Sequence, residues 1–433
     1  MLKAKLKTLR QSIIPPDANK SEKFFSLLNF AIPFLMGVYI FINPLSMAMV
    51  MEFCYYLSIL ALIILLVFRK TEITIRSPLT LALALFSLWA VLGLFITLDF
   101  SNTLHDLRGY LLEYLIVLYL LINFYHSRDR LEMLSVLLIA SATVFSVGGF
   151  ILFYFIENHP FSARFGLTFK EMYTGFMCFT TVFAAILSLR GVYKAGSLKH
   201  QSVYFFCFLI LTAATLLNQS RGAIIGLFAA LLIMCLYRKK NIILIAVSVA
   251  LIILLPGIKD RIVNLSFTQD IRSQMFRLSW EVIKDYPIAG VGYGGEIYGN
   301  NNLMDLEKYN ARLPEKYQQK TMYKNKLFII TSTHNTFLDV AIRTGLVGLS
   351  LFCLIALTAA WMLWDIFRRR KEEFFRSWSI CLFACLAAYM LQALFTDALY
   401  GTQGVLMYVN LAMIGILWNL ARKDQPKPSA VQA

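Results

Sequence analysis

Long apolar runs alternate with short polar connections along most of the chain. The runs are about 17 to 25 residues long, which is enough for a helix to cross a hydrocarbon core of roughly 30 Å. We predict twelve membrane-spanning helices, at residues 25–44, 46–68, 78–97, 108–125, 132–156, 172–189, 201–217, 221–237, 241–256, 346–366, 377–397 and 402–420. The pattern therefore predicts an all-α, polytopic integral membrane protein.

One long hydrophilic segment interrupts the apolar runs and defines the predicted organisation. The first apolar run is too long for a signal-peptide core, so we interpret it as a retained first span. The predicted regions are a tail at 1–24, spans one to nine at 25–256, a large loop with amphipathic helices at 257–345, spans ten to twelve at 346–420 and a tail at 421–433.

Apolar residues recur at helical spacing within this loop, at Ile271, Met275, Leu278 and Val282. They predict an amphipathic helix over 270–285 that ends before Pro287. A flexible turn is expected after it, at the glycines Gly290, Gly292, Gly294 and Gly295. The 305–326 part is charged, and we expect it to be solvated.

A second amphipathic stretch follows His334, the only histidine of the loop and one of five in the chain. Helical spacing places Phe337 on one side of this short helix and pairs Asp339 with Arg343 on the other. His334 is therefore expected immediately before a helix at the membrane edge.

Composition and charge agree with a membrane protein. Hydrophobic residues make up 58% of the chain and charged residues 15%, with a mean hydropathy of +0.65, which excludes an ordinary soluble domain. All seven cysteines lie in apolar runs, so neither a disulfide framework nor a cysteine metal site is expected.

The positive charge follows the connections. Of the 41 Lys and Arg residues, most lie in the two tails and in alternate short connections, and the net charge of +16 thus reflects topology and not nucleic-acid binding. By the positive-inside rule both termini are cytoplasmic and the long loop lies outside.

Four arginines fall on this predicted outer face, namely Arg164, Arg221, Arg272 and Arg277. A guanidinium donates bidentate hydrogen bonds to phosphate, so such a cluster suits a diphosphate. The alternative is that these arginines only reach lipid phosphates at the interface. His334 fits a general base, but equally a helix-entry residue.

Two acidic residues in or near spans, Glu113 and Asp397, are costly placements that usually have partners, which the sequence does not identify. Glu113 is the main feature that favours a transporter. No metal-binding motif is present in the sequence, and the glycine-rich run follows a helix instead of a strand, which argues against a dinucleotide site.

At these residues the chain resembles the O-antigen ligases, whose superfamily also contains the O-antigen polymerases. The sharpest likeness is His334-Asn335, then nine residues, then Gly345-x-x-Gly348. Two further stretches are similar to regions shared by the superfamily, SRGAIIGL at 220–227 and FRLSWEVIKDYPIAGVGYG at 276–294.

The resemblance implies that Arg221 and Arg277 bind the diphosphate and that His334 is the catalytic base. Arg164 matches an outer-loop arginine only loosely, and Arg272 competes with Arg277 for its assignment. It also implies a glycosyltransferase without cofactor, metal or nucleotide in the inner membrane of a Gram-negative bacterium. Its donor would be O-polysaccharide on undecaprenyl diphosphate and its acceptor lipid A–core. The alternatives are the polymerase and a flippase or transporter.

Overall fold

A computed structural model describes residues 19–166, 174–237, 271–319, 321–323, 326–329 and 332–423 of the chain. The helices are α1 Lys20–Ile42, α2 Ala48–Val67, α3 Pro78–Leu92, α4 Phe100–Asp106, α5 Glu113–Phe124, α6 Arg128–Phe150, α7 Thr174–Lys194, α8 Leu198–Leu217, α9 Arg221–Tyr237, α10 Ile271–Asp285, α11 Leu306–Ala311, α12 Thr336–Arg369, α13 Glu373–Ala393 and α14 Gly401–Lys423. A π-helical segment at Leu107–Leu112 joins α4 to α5, and another at Ile151–Ile156 extends α6. The all-α class is confirmed.

Nine helices in the described part of the chain are long and apolar enough to cross a membrane, and the apolar helix Arg221–Cys235 is shorter. Helices α7 and α9 coincide with the predicted spans 172–189 and 221–237. The predicted ninth span, 241–256, lies outside the described residues. The chain is a multi-pass membrane protein.

Polar caps explain where several helices begin. The side chains of Ser77, Ser127 and Ser197 each accept a hydrogen bond from a backbone N–H three residues further on. Asn19 and Glu22 form a reciprocal capping box at the start of α1. Such caps satisfy N–H groups that the first helical turn leaves unpaired. The four helices all start from segments predicted to be cytoplasmic.

Helix α14 forms the centre of the bundle, because 94% of its most apolar 18-residue stretch is buried. Two of its glycines allow α5 to approach closely: a Cβ on Gly404 would lie 2.7 Å from Cε2 of Tyr114, and one on Gly415 2.7 Å from Cδ1 of Ile122. On the neighbouring helix Glu113 accepts a hydrogen bond from the hydroxyl of Tyr39 at 3.1 Å. This supplies a partner that the sequence could not identify.

The long loop packs on the first turns of α12. Leu278, Val282 and Ile283 of α10 share a buried apolar cluster with Ala341 and Ile342 of α12. This cluster also includes Leu306, Tyr309 and Leu313, so the expectation of a simply solvated 305–326 part was wrong. The 305–326 part therefore has an apolar side that packs inward as well as its charged residues.

A short antiparallel strand pair, which the sequence reading missed, adds to the loop. β1 Thr321–Tyr323 pairs with β2 Lys326–Phe328, with Met322 opposite Leu327. With three residues in each strand, the pair leaves the all-α class unchanged.

Candidate functional site

His334 lies where the loop enters α12. Its φ of 45° places it in the left-handed region, and its side chain is partly exposed. The next residue, Asn335, is the N-cap of α12 and accepts hydrogen bonds from the backbone N–H groups of Phe337 and Leu338 at 2.9 and 3.1 Å. A fixed cap after a tight turn holds the backbone of His334 in one orientation.

Asp397 anchors the segment that carries His334. Its carboxylate accepts hydrogen bonds from the Ser332 hydroxyl at 2.7 Å, from the Thr333 hydroxyl and from the backbone N–H of Asn335 at 3.2 Å. Ser332 in turn accepts a hydrogen bond from the backbone N–H of His334 at 3.3 Å. The carboxylate thus holds three groups around the histidine. Asp397 lies in the connection after α13, which ends at Ala393, and not inside the helix as the predicted span 377–397 had it.

The 394–398 connection between α13 and α14 completes this anchor. The side-chain amide of Asn335 donates to the carbonyl of Leu394 at 3.2 Å. The Thr336 hydroxyl donates to the carbonyl of Thr396 at 2.7 Å and accepts from the N–H of Ala398 at 2.9 Å. The His334 segment is therefore hydrogen-bonded to this connection over several consecutive residues.

The glycine run after Pro287 is closely packed, and the prediction of a flexible turn did not anticipate this. Val291 and Gly292 donate their N–H groups to the carbonyls of Ile342 and Arg343 at 2.9 and 3.1 Å. Gly290 and Gly292 have φ of +70° and +115°, values that favour glycine. The run therefore fixes the loop against the first part of α12.

The two motif glycines act at the same place. Gly345 has φ +69° and interrupts α12, and the N–H of Leu346 donates to the carbonyl of Pro287 at 2.7 Å. A Cβ on Gly345 would lie 2.0 Å from the carbonyl oxygen of Ile288, and one on Gly348 2.0 Å from Oγ1 of Thr344. The motif spacing thus serves a helix break and a close backbone approach.

Gly345→Ala is expected to lower the free energy of unfolding by about 3 kcal/mol or more, because it adds strained backbone to a clash with a carbonyl. Thermal unfolding of the detergent-purified protein would measure this. Gly148→Ala is the matched control, since a Cβ there meets nothing within 4 Å. Equal melting temperatures for the two variants would contradict the packing argument.

A buried charge network lies behind the helix that follows His334. The predicted pair of Asp339 and Arg343 is confirmed, with Nε 2.8 Å from Oδ1, but both side chains are buried, whereas an amphipathic helix suggested a polar surface. Arg343 also donates to the carbonyl of Tyr293 at 3.1 Å and lies 3.8 Å from Asp106. Asp106 accepts from the N–H of Gly295 at 2.7 Å. The network ties α4, the glycine run and α12 together.

Arg164, in the connection after α6, contacts the turn that leads into Arg221. Its Nε donates to the carbonyl of Asn218 at 2.8 Å, and the side-chain amide of Asn218 donates to the carbonyl of Phe165 at 3.0 Å. Gln219, with φ 56°, donates to the carbonyl of Ser162 at 3.2 Å. These bonds hold the Arg164 connection beside the first turn of α9.

Helix α9 brings this turn to the connection that anchors His334. Arg221 is its first residue, and a Cβ on the next residue, Gly222, would lie 3.0 Å from Cβ of Phe395. Phe395 belongs to the 394–398 connection and lies two residues before Asp397. The segments of Arg221 and His334 therefore meet at the 394–398 connection, and the Arg164 segment contacts the turn that precedes Arg221.

Arg277 belongs to the long loop and contacts an aromatic ring of that loop. It is exposed on α10, and its guanidinium carbon lies 3.8 Å from the ring centroid of Tyr317. Arg272 is partly buried in the first turn of the same helix. The assignment of either arginine to the diphosphate stays a prediction.

Tyr298 contacts α10 and was missed by sequence reasoning. Its buried hydroxyl lies 3.3 Å from Oγ of Ser279. Burial, with a smaller contribution from the charges of Asp397 and Asp339, raises the pKa of Tyr298 to about 12. The phenol thus stays protonated at neutral pH, as a donor near the carboxylate that holds the His334 segment.

Residues 206–353 match the family model of the O-antigen ligases. This match supports the O-antigen ligase superfamily. A comparison with curated proteins found no match. The match supports a ligase- or polymerase-type glycosyltransferase that acts on lipid-linked polysaccharide in a membrane.

The matched region contains all but one of the predicted site residues. It includes Arg221, Arg272, Arg277, His334, Asn335, Gly345 and Gly348. It excludes Arg164, consistent with the loose likeness of that residue. It also excludes Asp397, whose contacts with the His334 segment are visible only in three dimensions.

Proposed function

We propose that this protein is an O-antigen ligase that transfers polysaccharide from undecaprenyl diphosphate to a hydroxyl of lipid A–core. The observation that carries the proposal is the anchored His334 segment, which shares the 394–398 connection with the turn that carries Arg221. It provides an imidazole that can act as general base and a cationic helix start that can stabilise a leaving diphosphate, the two roles that glycosyl transfer from a diphosphate requires.

Arg221 is the proposed first contact of the donor diphosphate. It opens α9, and a helix N-terminus presents backbone N–H groups and a positive dipole to an anion. Arg164 adds a second guanidinium beside the same turn, and Arg277 or Arg272 a third from the loop. Together they stabilise negative charge that grows on the leaving diphosphate.

His334 is the proposed general base. It removes the proton of the acceptor hydroxyl as the oxygen attacks the anomeric carbon, and the bond from that carbon to the diphosphate oxygen breaks. A single displacement of this kind inverts the anomeric centre. The sugar–diphosphate bond supplies the driving force, so the proposed reaction needs neither metal nor nucleotide.

The proposed setting is the periplasmic side of a Gram-negative inner membrane, with both termini in the cytoplasm. The charge distribution among the short connections supports it. The donor lipid then stays in the bilayer while its diphosphate and glycan reach the outer ends of α9 and α12. Labelling of a cysteine introduced into either tail, with a membrane-impermeant reagent in intact cells and in inverted vesicles, would test the orientation.

An in vitro transfer assay tests the function. Purified protein would be mixed with undecaprenyl-diphosphate-linked polysaccharide and lipid A–core, in EDTA and without nucleotide, and the products separated by size and lipid type. Glycosylated lipid A–core is the expected product. Longer undecaprenyl-linked chains with bare lipid A–core would instead identify a polymerase, and no product of either kind would favour the flippase.

Asp397→Ala is expected to lower transfer about 10²-fold, because a displacement of a catalytic group by about 1 Å can have an effect of that size. The substitution removes the acceptor of three hydrogen bonds around His334. Asp397→Asn keeps one carbonyl oxygen and should recover part of the activity. Size-exclusion chromatography would verify folding, and wild-type turnover in a folded Asp397→Ala protein would refute the anchoring role.

A further inference from the structure

A cationic cavity lies at the end of the bundle opposite His334. It has a volume of about 210 Å³ and is lined by residues at the ends of α12 and α14, namely Asp365, Ile366, Arg369, Arg370, Trp418, Ala421 and Arg422. From Gly345 to Arg369 a helix rises roughly 36 Å, slightly more than the thickness of a hydrocarbon core. The cavity therefore opens at the other membrane surface, away from the proposed transfer site.

The cavity has the chemistry of an anion site. Among the described residues, three guanidinium groups line it against one carboxylate, and that carboxylate, Asp365, is paired with Arg369 at 2.6 Å. Arg422 lies over the ring of Trp418, with its guanidinium carbon 4.8 Å from the centroid. An excess of planar guanidinium donors is suited to phosphate oxygens.

Trp418 provides an independent indication of a ligand. The residue is 3% exposed, and its indole N–H has no hydrogen-bond partner among the described residues. A buried indole usually finds an acceptor. Arginines that only complement the C-terminal dipoles of two helices would leave this donor unexplained. A phosphate oxygen in the cavity would satisfy it.

An apolar stripe leads from the membrane to this cavity. Leu357, Trp361, Asp365 and Arg369 follow one another at four-residue spacing along one face of α12. Leu357 is 66% and Trp361 50% exposed, and the ring of Trp361 packs on Trp418 with centroids 5.5 Å apart. An acyl chain on this stripe would place its headgroup at the arginines.

We infer that this cavity binds the phosphate of an anionic phospholipid whose acyl chain lies along the α12 stripe. The site is separate from the transfer site and does not depend on the proposed ligase reaction. The phosphate oxygens accept from Arg422, from Arg370 and from the indole N–H of Trp418, while Asp365 orients Arg369. The apolar stripe distinguishes a lipid from a free phosphate.

Native mass spectrometry of the detergent-purified chain tests the inference. Wild-type protein would be titrated with dioleoyl phosphatidylglycerol or with dioleoyl phosphatidylcholine, and retained lipid counted. Arg422→Gln and Trp418→Phe are each expected to weaken phosphatidylglycerol binding about tenfold, the usual effect of one charge-assisted hydrogen bond or one unsatisfied buried partner. Arg368→Gln is the matched control, because Arg368 is exposed at the same helix end but does not line the cavity.

Three results would overturn the inference. Equal retention by wild type and Arg422→Gln would remove the cavity as the binding site. An equal loss in Arg368→Gln would indicate general charge attraction. If millimolar inorganic phosphate displaced the lipid and stabilised the protein against heat as much as the lipid does, the site would take a free anion and not a lipid. The inference is supported if wild type and Arg368→Gln prefer phosphatidylglycerol to phosphatidylcholine and the two cavity variants do not.

Discussion

Arg221→Ala is expected to lower the turnover of polysaccharide transfer about 10²–10³-fold, the usual cost of one preorganised donor to transition-state charge. Arg221 lies at the start of α9, so its guanidinium and the helix dipole act on the same anion. The measurement is the rate of lipid A–core glycosylation at saturating donor. Because charge develops on the diphosphate only as the bond breaks, the loss should fall on kcat more than on KM.

Two further variants separate this role from simple attraction of an anionic lipid. Arg221→Lys keeps the charge but loses the planar fork, and we expect low or intermediate activity. Arg108→Ala removes an exposed arginine from the same predicted outer face and should leave turnover unchanged. If Arg221→Ala retained full turnover, Arg221 would have no part in the mechanism. A similar loss in Arg108→Ala would attribute the effect to net charge.

Much of the fold could be predicted because membrane helices are local patterns of apolar residues. The amphipathic helix predicted at 270–285 is found at Ile271–Asp285, and its end before Pro287 is confirmed. The pairing of Asp339 with Arg343 is also local, since four residues place the two on one face of a helix. Each of these predictions required only neighbours in the chain.

The contacts that build the candidate site could not be predicted in the same way. Asp397 accepts a hydrogen bond from the backbone N–H of Asn335, which lies 62 residues away in the chain, and nothing in the local pattern pairs the two. Its presence at the end of a span showed that a partner was needed but not which one. The glycine run was expected to be flexible because glycine permits many conformations, whereas tertiary hydrogen bonds to α12 select one of them.

The arrangement of the predicted site residues shows the same division. Residue chemistry, predicted topology and the family resemblance made Arg164, Arg221 and His334 candidates. That their segments meet depends on a hydrogen bond to Asn218 and on the contact between Gly222 and Phe395, which join regions distant in sequence. Diphosphate binding by the loop arginines stays a prediction. Apolar side chains hold α10 against α12, and the described contact of Arg277 is with the ring of Tyr317.

His334→Asn is expected to reduce transfer about 10²–10⁴-fold, the contribution of a positioned general base. Asparagine is the informative replacement because His334 has φ 45°, a conformation that asparagine tolerates better than alanine. The backbone N–H that donates to Ser332 is kept, so the anchored segment should retain its shape. Loss of the imidazole alone is then measured, as single-turnover transfer from a preloaded donor.

A comparison of donor binding with turnover gives this prediction its sharpest form. If His334 removes the acceptor proton, His334→Asn should bind undecaprenyl-diphosphate-linked polysaccharide as wild type does and fail in transfer. Arg221→Ala should instead lower turnover because it no longer stabilises the charge on the leaving diphosphate. His200→Asn is the matched control, since that exposed histidine lies at the start of α8, away from the anchor. Equal turnover in His334→Asn and His200→Asn would exclude His334 as the base. Loss of donor binding in His334→Asn would instead make it a binding residue, with the base to be sought among other groups around the 394–398 connection.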